Sequence, residues 1–235
     1  MYLRHVWRLV FRALLLLIAA CLFFFNGDKL NFTSIFRQGL GGVFLWIVWL
    51  MLVVEMLYRL FPNKSIATGA RKHYACSFSA APCADNGTED KQKLAKQLNK
   101  GALPCALGWV IISAAVLAAL YLLEMLTPSA MMIVLLVYAV GDVIFILFFC
   151  PFRVLFMHNR CCVVCRIYNW DYFMICAPLI IFPHFYSISL FLLSAAVVVR
   201  WEIAYGKNPH YFLEETNENL SCESCKEKIC SSQRN

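Results

Sequence analysis

The chain has 235 residues, of which 61% are hydrophobic and 15% are charged, and its net charge is +7. A mean hydropathy of +0.66 excludes an ordinary soluble domain, because long apolar runs with few charges are typical of transmembrane helices of about 20 residues. The basic residues cluster beside those runs, as cytoplasmic flanks facing anionic lipid do. The composition therefore predicts a protein embedded in the lipid bilayer and argues against a nucleic-acid partner.

Changes in hydropathy divide the chain into five segments. They are an N-terminal two-span unit at 1–62, a cytoplasmic hydrophilic loop at 63–101, a two-span hairpin at 102–150, a Cys-rich loop with re-entrant and return helices at 151–205, and a cytoplasmic Cys-containing tail at 206–235. The first four spans are predicted at about 7–25, 43–61, 102–126 and 129–150. No small-residue cleavage site follows the first run, so it is interpreted as a retained signal anchor. A charged helix in the hydrophilic loop is predicted to end at Gly101.

Basic residues in short loops prefer the cytoplasmic side, and this preference sets the orientation. Three groups of them agree after successive crossings: Arg4, Arg8 and Arg12, then the lysines and arginines of 63–101, then Arg153, Arg160 and Arg166. The N-terminus is therefore predicted to be cytoplasmic in a multi-pass protein of the cell membrane.

The stretch 171–201 allows two interpretations, because it is long for one span and short for two. Pro178 and Pro183 interrupt it. One interpretation is a single kinked helix, which leaves the C-terminus outside. The other is a half-helix at about 172–182 and a return span at about 186–199, which places the C-terminus and its lysines inside. The second, favoured here, gives an all-α polytopic membrane bundle of about five full spans plus one short re-entrant helix, with a cytoplasmic Cys-rich site.

Two cysteine clusters flank the last span, each with a C-x-x-C pair. They contain Cys161, Cys162 and Cys165 in RCCVVCR, and Cys222, Cys225 and Cys230 in SCESCKEKIC. Two such pairs are the usual ligands of a four-thiolate zinc site or of an iron–sulfur cluster, which the spacing does not separate. Cys162 and Cys165 would supply one pair and Cys222 and Cys225 the other, with Cys161 and Cys230 as further thiols. His158 and His210 are candidate nitrogen ligands.

Simpler interpretations of the cysteines remain. Thiols beside a membrane can be palmitoylated or merely reduced. Four cysteines lie in apolar runs and are interpreted as small buried hydrophobes: Cys21, Cys105, Cys150 and Cys176. Cys76 and Cys83 are too far apart for a metal knuckle and would pair as a disulfide only in the opposite orientation.

Two carboxylates fall inside predicted spans, Glu55 in the second and Asp142 in the fourth. Ionisable groups at membrane depth are costly and often mark ion paths, proton relays or paired structural contacts. The predicted depths of the two differ by only about 3 Å, at 1.5 Å rise per residue. They are therefore candidates for sharing a proton or cation, and the alternative is that each is neutralised by a neighbouring helix. A pocket lined by Asp171 and His184 in the re-entrant segment is a further hypothesis.

The run CCVVCRIYNWDY, followed by RWEIAY, NPHYF and ETNENLSCESCKEKIC, resembles an uncharacterised family of multi-pass membrane proteins from anaerobic and Gram-positive bacteria. The resemblance covers about the last 85 residues. In that family the two cysteine clusters occur together, which implies one shared site formed by Cys162, Cys165, Cys222 and Cys225. No activity is carried over by the resemblance.

Three functions are compatible with these patterns. The first is a membrane metal-binding protein whose zinc or iron–sulfur site joins the loop after the fourth span to the tail, with Glu55 and Asp142 handling a proton or cation. The second is a membrane redox protein that uses an iron–sulfur cluster or thiols. The third is a non-catalytic module that recruits a membrane or cytoplasmic protein. Apart from the thiols, no nucleophile or base is found, so no catalytic residue is assigned.

Overall fold

The computed structural model describes residues 2–25, 30–33, 39–61, 69–80, 88–157, 162, 165–213 and 216–221. Within these ranges the protein is helical, and the only pairing of β type is an isolated antiparallel bridge between Ala80 and Asn217. The main helices are α1 (Tyr2–Phe25), α2 (Gly39–Leu60), α3 (Thr88–Leu122), α4 (Pro128–Leu147), α5 (Asp171–Cys176) and α6 (Phe185–Lys207). Short 3-10 or π segments connect several of them.

Five of these helices are long and apolar enough to cross a membrane. The apolar stretches are Leu3–Phe25, Gly41–Leu60, Lys100–Leu122, Pro128–Leu147 and Phe185–Lys207. Half of the α4 stretch is buried inside the protein, whereas only 11% of the α3 stretch is buried. The bundle is therefore built around α4, while α3 exposes most of its apolar surface, as a lipid-facing helix does.

The predicted break at Gly101 is wrong, because α3 runs without interruption from Thr88 to Leu122. Gly101 lies where the helix approaches the chain after α4: a Cβ there would stand 2.6 Å from the Phe156 carbonyl oxygen and 2.9 Å from Met157 Sδ. The glycine therefore permits close packing and does not end the helix. The boundary drawn between the hydrophilic loop and the two-span hairpin falls inside one helix.

The tight turn into α4 has the predicted form. Thr127 precedes the helix in an extended conformation, and its Oγ1 accepts a hydrogen bond from the Ala130 backbone N–H at 3.2 Å. Pro128 then occupies the first turn, where its missing N–H costs nothing.

The stretch 171–201 forms the second of the two predicted arrangements. Helix α5 continues into a 3-10 segment, Ala177–Ile181, and Phe182 leaves the helical conformation before Pro183. At usual rises per residue, 171–184 spans roughly 29 Å, close to the thickness of a bilayer's hydrocarbon core. This short return segment lets the 23-residue α6 begin at the opposite end of the bundle.

The two ends of the bundle differ in chemistry. At one end, called the charged end here, α1 begins and α2, α4 and α6 finish, and ion pairs connect them. The opposite end is apolar: the Phe32 ring stacks on Tyr186 with centroids 5.4 Å apart, and the Tyr186 hydroxyl donates to the Leu45 carbonyl at 3.1 Å. All candidate residues that the structure describes lie toward the charged end, except His184.

Candidate functional site

The two carboxylates predicted inside the spans are bound by arginines of α1. Arg12 donates to Glu55 Oε2 at 2.5 Å and to Asp142 Oδ2 at 3.2 Å, so one guanidinium joins α2 to α4. Arg8 donates to Glu55 Oε1 at 3.0 Å, and the Tyr172 hydroxyl donates to Glu55 Oε2 at 2.6 Å. These five side chains are called the arginine–carboxylate network.

The network is balanced in charge, although the buried Nε of Arg12 has no hydrogen-bond partner among the described residues. Arg12 is 1% exposed, and it also donates to the Ala139 carbonyl of α4 at 2.6 Å. Two guanidinium groups face two carboxylates, which is the arrangement that a low-dielectric interior requires. Glu55 and Asp142 therefore share an arginine in this structure, and the prediction that they handle a proton or cation stays a prediction.

Sequence reasoning assigned Arg8 and Arg12 only a topological role. They are four residues apart and lie on one face of α1, and that face also carries the buried Leu15 and Ala19. The sequence contains one pattern that indicates this packing: the two arginines share a helix face with apolar residues, so that face of α1 is expected to contact other helices. The choice of Glu55 and Asp142 as partners needed the packing of α1 on α4.

A second buried arginine holds the start of the return segment. Arg59 of α2 donates to Asp171 Oδ1 at 2.6 Å and to Asn169 Oδ1 at 3.0 Å, and its guanidinium lies 4.4 Å from the centre of the Tyr172 ring. Asp171 Oδ1 also accepts from the Tyr172 backbone N–H at 2.8 Å. Asp171 therefore lies in the first turn of α5, whereas His184 is the N-cap residue of α6 and is not among the lining residues of the cavity that Asp171 borders.

A third arginine, Arg166, connects the Cys-rich loop to α6. It pairs with both carboxylate oxygens of Glu202, and the Trp170 indole N–H donates to Glu202 Oε1 at 2.8 Å. The Trp201 indole N–H donates to the Arg166 carbonyl at 2.8 Å. Arg166 is 4% exposed, so the residue directly after Cys165 is held in place from both its side chain and its backbone.

The start of the C-terminal tail packs against the same loop. The ring of Phe212 lies 4.8 Å from Trp201 and 5.1 Å from Tyr205, and both of those residues also contact Arg166. Further along, Asn217 Nδ2 donates to the Lys72 carbonyl at 2.9 Å. Within the described residues, the tail is thus fixed at the charged end as far as Ser221, next to Cys222 in sequence.

The predicted metal ligands are only partly covered by the structure. Cys162 and Cys165 are buried, at 9% and 5% exposed. His158 lies outside the described residues. The same is true of the other four cysteines predicted as ligands, which are Cys161, Cys222, Cys225 and Cys230. In the described part of the chain, no group of three or more His, Cys, Asp or Glu side chains is arranged to hold a metal ion.

Cys162 and Cys165 lie beside two cysteines that sequence reasoning treated as plain hydrophobes. The Cys162 thiol donates to the Phe145 carbonyl at 3.7 Å and lies beside Cys150, just after α4, while Cys165 packs in one buried cluster with Cys105 of α3. Cys105 also interacts electrostatically with Cys150 and Cys165. These four thiols, Cys105, Cys150, Cys162 and Cys165, are called the thiol cluster. None of the four is joined to another described cysteine by a disulfide.

An apolar cavity of about 510 Å³ lies between α3, α4 and α5 next to the thiol cluster. Its walls are mainly aromatic and aliphatic, and they include Trp109, Phe145 and Phe156. Cys150, Cys162 and Cys165 lie at its edge, together with Asp142 and Asp171. An apolar pocket with a few polar groups on one side is the usual form of a small-molecule site.

The neighbouring Cys162 thiol also changes the acidity of Cys150. The interaction with Cys162 lowers the pKa of the Cys150 thiol from 9.0 to about 7, against the opposing effect of burial. The thiolate therefore forms as the pH rises through about 7.

Replacing Cys162 with alanine is expected to raise the pKa of Cys150 to at least the ordinary thiol range, because the interaction with Cys162 is lost and burial remains. Alkylation of Cys150 at pH 7 should slow about fifteenfold or more, since about 50% of a thiol with a pKa near 7 is ionised there but only about 3% of a thiol with a pKa near 8.5. Mass spectrometry of alkylated peptides across a pH series measures this rate, and exposed Cys76 serves as the unaffected control. An unchanged pH profile for Cys150 would contradict the assigned effect of Cys162.

Comparison with known proteins adds no assignment. No protein-family model, no curated protein and no solved structure matches this chain. The function is therefore argued from the site itself.

Proposed function

We propose that this chain is an integral membrane thiol redox protein, in which Cys150 and Cys162 form a dithiol that cycles with a disulfide. The observation that carries the proposal is that these two thiols line the same apolar cavity, where the neighbouring Cys162 lowers the pKa of Cys150 to about 7. A thiolate beside a second thiol is the arrangement that thiol–disulfide exchange requires.

The exchange is balanced in atoms and electrons. The Cys150 thiolate attacks one sulfur of a substrate disulfide and releases the other sulfur as a thiolate, which leaves a mixed disulfide. Cys162 loses its proton and attacks Cys150 Sγ, which forms the internal disulfide and releases the second substrate thiol. The protein loses two electrons and two protons, and the substrate disulfide becomes two thiols.

The ion pairs explain how the two sulfurs are kept in contact. Asp142 is two turns before Cys150 on the chain and is held by Arg12, which fixes the end of α4. Arg166 follows Cys165 directly and is held by Glu202 of α6. Side chains that are positioned by buried, hydrogen-bonded neighbours keep their geometry better than side chains on unsupported loops.

The proposal is tested on protein purified without oxygen in mild detergent. Oxidised glutathione should produce a disulfide between Cys150 and Cys162 before any disulfide that involves exposed Cys21 or Cys76, as read by differential alkylation and mass spectrometry. Cys150→Ser and Cys162→Ser should each abolish it, with Cys76→Ser as the matched control. Wild-type protein in which Cys150 and Cys162 remain unlinked would refute the redox assignment.

A metal site joining the two cysteine clusters is the second candidate. It is supported by the packing of the tail, up to Ser221, at the end of the bundle that holds Cys165. The ligands would be Cys162, Cys165, Cys222 and Cys225, with Cys161 and Cys230 in reserve, and the ion zinc or an iron–sulfur cluster. Metal analysis of the same anaerobic preparation distinguishes the two candidates: about one bound metal per chain, lost in Cys162→Ser, would favour this one.

The proposal also assigns a role to the arginine–carboxylate network and an orientation to the charged end. The arginine–carboxylate network is assigned a structural role, because Arg12 occupies the position between Glu55 and Asp142 that a transported cation would need. The charged end is assigned to the cytoplasm, because basic residues flank the spans there. Both assignments are parts of the proposal.

A further inference from the structure

The apolar cavity has walls suited to a lipid-soluble molecule and an edge suited to redox chemistry. Among its described lining residues there is no lysine or arginine. Its two carboxylates are already neutralised, Asp142 by Arg12 and Asp171 by Arg59. A phosphate headgroup would find no cation on these walls, so charge complementarity favours an uncharged ligand.

The carboxylate of Asp171 is not offered to a ligand. Asp171 Oδ1 binds Arg59, and Asp171 Oδ2 is buried and has no hydrogen-bond partner among the described residues. An oxygen buried in this way does not face the open space of the cavity. The reactive groups that the cavity offers are therefore its thiols, Cys150 and Cys162.

We propose that this cavity binds an isoprenoid quinone from the bilayer and that the quinone accepts two electrons from the Cys150–Cys162 dithiol. The inference rests on the proposed redox function. A quinone fits because its tail and ring are apolar and uncharged, and because its ring accepts the two electrons that two thiols release when they form a disulfide.

The step is balanced. The Cys150 thiolate adds to the quinone ring and forms a C–S bond. Cys162, once deprotonated, attacks Cys150 Sγ, which forms the S–S bond and breaks the C–S bond, and the electron pair returns to the ring. The two thiols are oxidised to one disulfide, the quinone is reduced to a quinol, and the two protons lost by the thiols are matched by two on the quinol oxygens.

The experiment fills the cavity without removing a reactive group. Gly141 lines the cavity, and a Cβ there would meet nothing within 4 Å, so Gly141→Leu adds a side chain in open space. Gly206→Leu is the matched control, because Gly206 on α6 is exposed, lies outside the cavity lining and likewise meets nothing within 4 Å. Each anaerobic protein receives a short-tailed benzoquinone, and disulfide and quinol are followed by mass spectrometry and absorbance.

The expected result is one Cys150–Cys162 disulfide for each quinol formed. Gly141→Leu should lower the rate about tenfold or more, which corresponds to about 1.4 kcal/mol or more in the barrier. Gly206→Leu should leave the rate unchanged. All three proteins should react equally with oxidised glutathione, which shows that the dithiol and the fold are intact.

Other outcomes overturn the inference in distinguishable ways. A disulfide that forms with oxidised glutathione but not with quinone would refute the quinone and leave the proposed function standing. No disulfide with either oxidant would refute both. Equal quinone rates in Gly141→Leu and wild-type protein would exclude the cavity as the site. Added phospholipid that blocks the reaction as strongly as Gly141→Leu would identify an acyl chain as the occupant instead.

Discussion

Replacing Arg12 with leucine is expected to lower the free energy of unfolding by about 3–5 kcal/mol, the usual cost of breaking a buried ion pair from one side. Asp142 would lose its arginine, and Glu55 would keep only Arg8. Arg12 is nearly inaccessible, at 1% exposed, so water cannot take over its role. Thermal or denaturant unfolding in a fixed detergent measures the change.

Two variants make that prediction specific. Arg4 lies two turns earlier on the same helix and is exposed, so Arg4→Leu should change stability by less than about 1 kcal/mol. A triple variant, Arg12→Leu with Glu55→Gln and Asp142→Asn, removes the uncompensated charges and should recover part of the loss. Stability in Arg12→Leu equal to that in Arg4→Leu would mean that the network contributes little to the fold.

Replacing Trp201 with alanine is expected to cost about 3–5 kcal/mol and to release the C-terminal tail. Trp201 is fully buried, its ring contacts His73, Tyr74 and Phe212, and its indole N–H donates to the Arg166 carbonyl. The cavity left behind would remove the packing that holds the loop after α2 and the tail to α6. Unfolding measurements and limited proteolysis after residue 208 report the two effects.

The controls separate packing from the hydrogen bond. Trp201→Phe keeps most of the apolar volume and loses the bond to Arg166, so it should cost clearly less than the alanine variant. Trp7→Ala changes a residue that is 72% exposed on α1 and should leave both stability and proteolysis nearly unchanged. A tail that stays protected in Trp201→Ala would show that contacts such as Asn217 to Lys72 suffice by themselves.

The long helices could be predicted because each depends on its own sequence. A run of about 20 apolar residues satisfies its backbone hydrogen bonds within the helix, so its existence does not depend on neighbours. The same reasoning was wrong at Gly101, where glycine was interpreted as a helix end. Gly101 instead allows the close approach of Phe156 and Met157, which are more than fifty residues away in the chain.

The four thiols also show that a local sequence pattern does not predict contacts between distant parts of the chain. The C-x-x-C spacing identified Cys162 and Cys165 as chemically interesting, because spacing is a local property. Cys105 and Cys150 carry no such pattern and were interpreted as buried hydrophobes, which is correct for Cys105, whereas Cys150 is only partly buried. Their position beside the other two thiols follows from the packing of α3 and of the chain after α4, which no local pattern encodes.

By itself, the sequence determined that this protein is a helical bundle with helices long and apolar enough to cross a bilayer, since hydropathy and length decide which segments can do so. It also identified Glu55 and Asp142 as unusual, because charge at membrane depth is costly wherever it occurs. Only the tertiary structure decided that Arg12 is their common partner and that Cys150 meets Cys162. Pairings of this kind depend on how each helix is rotated and which helices adjoin, and these are fixed by the packing of the whole bundle.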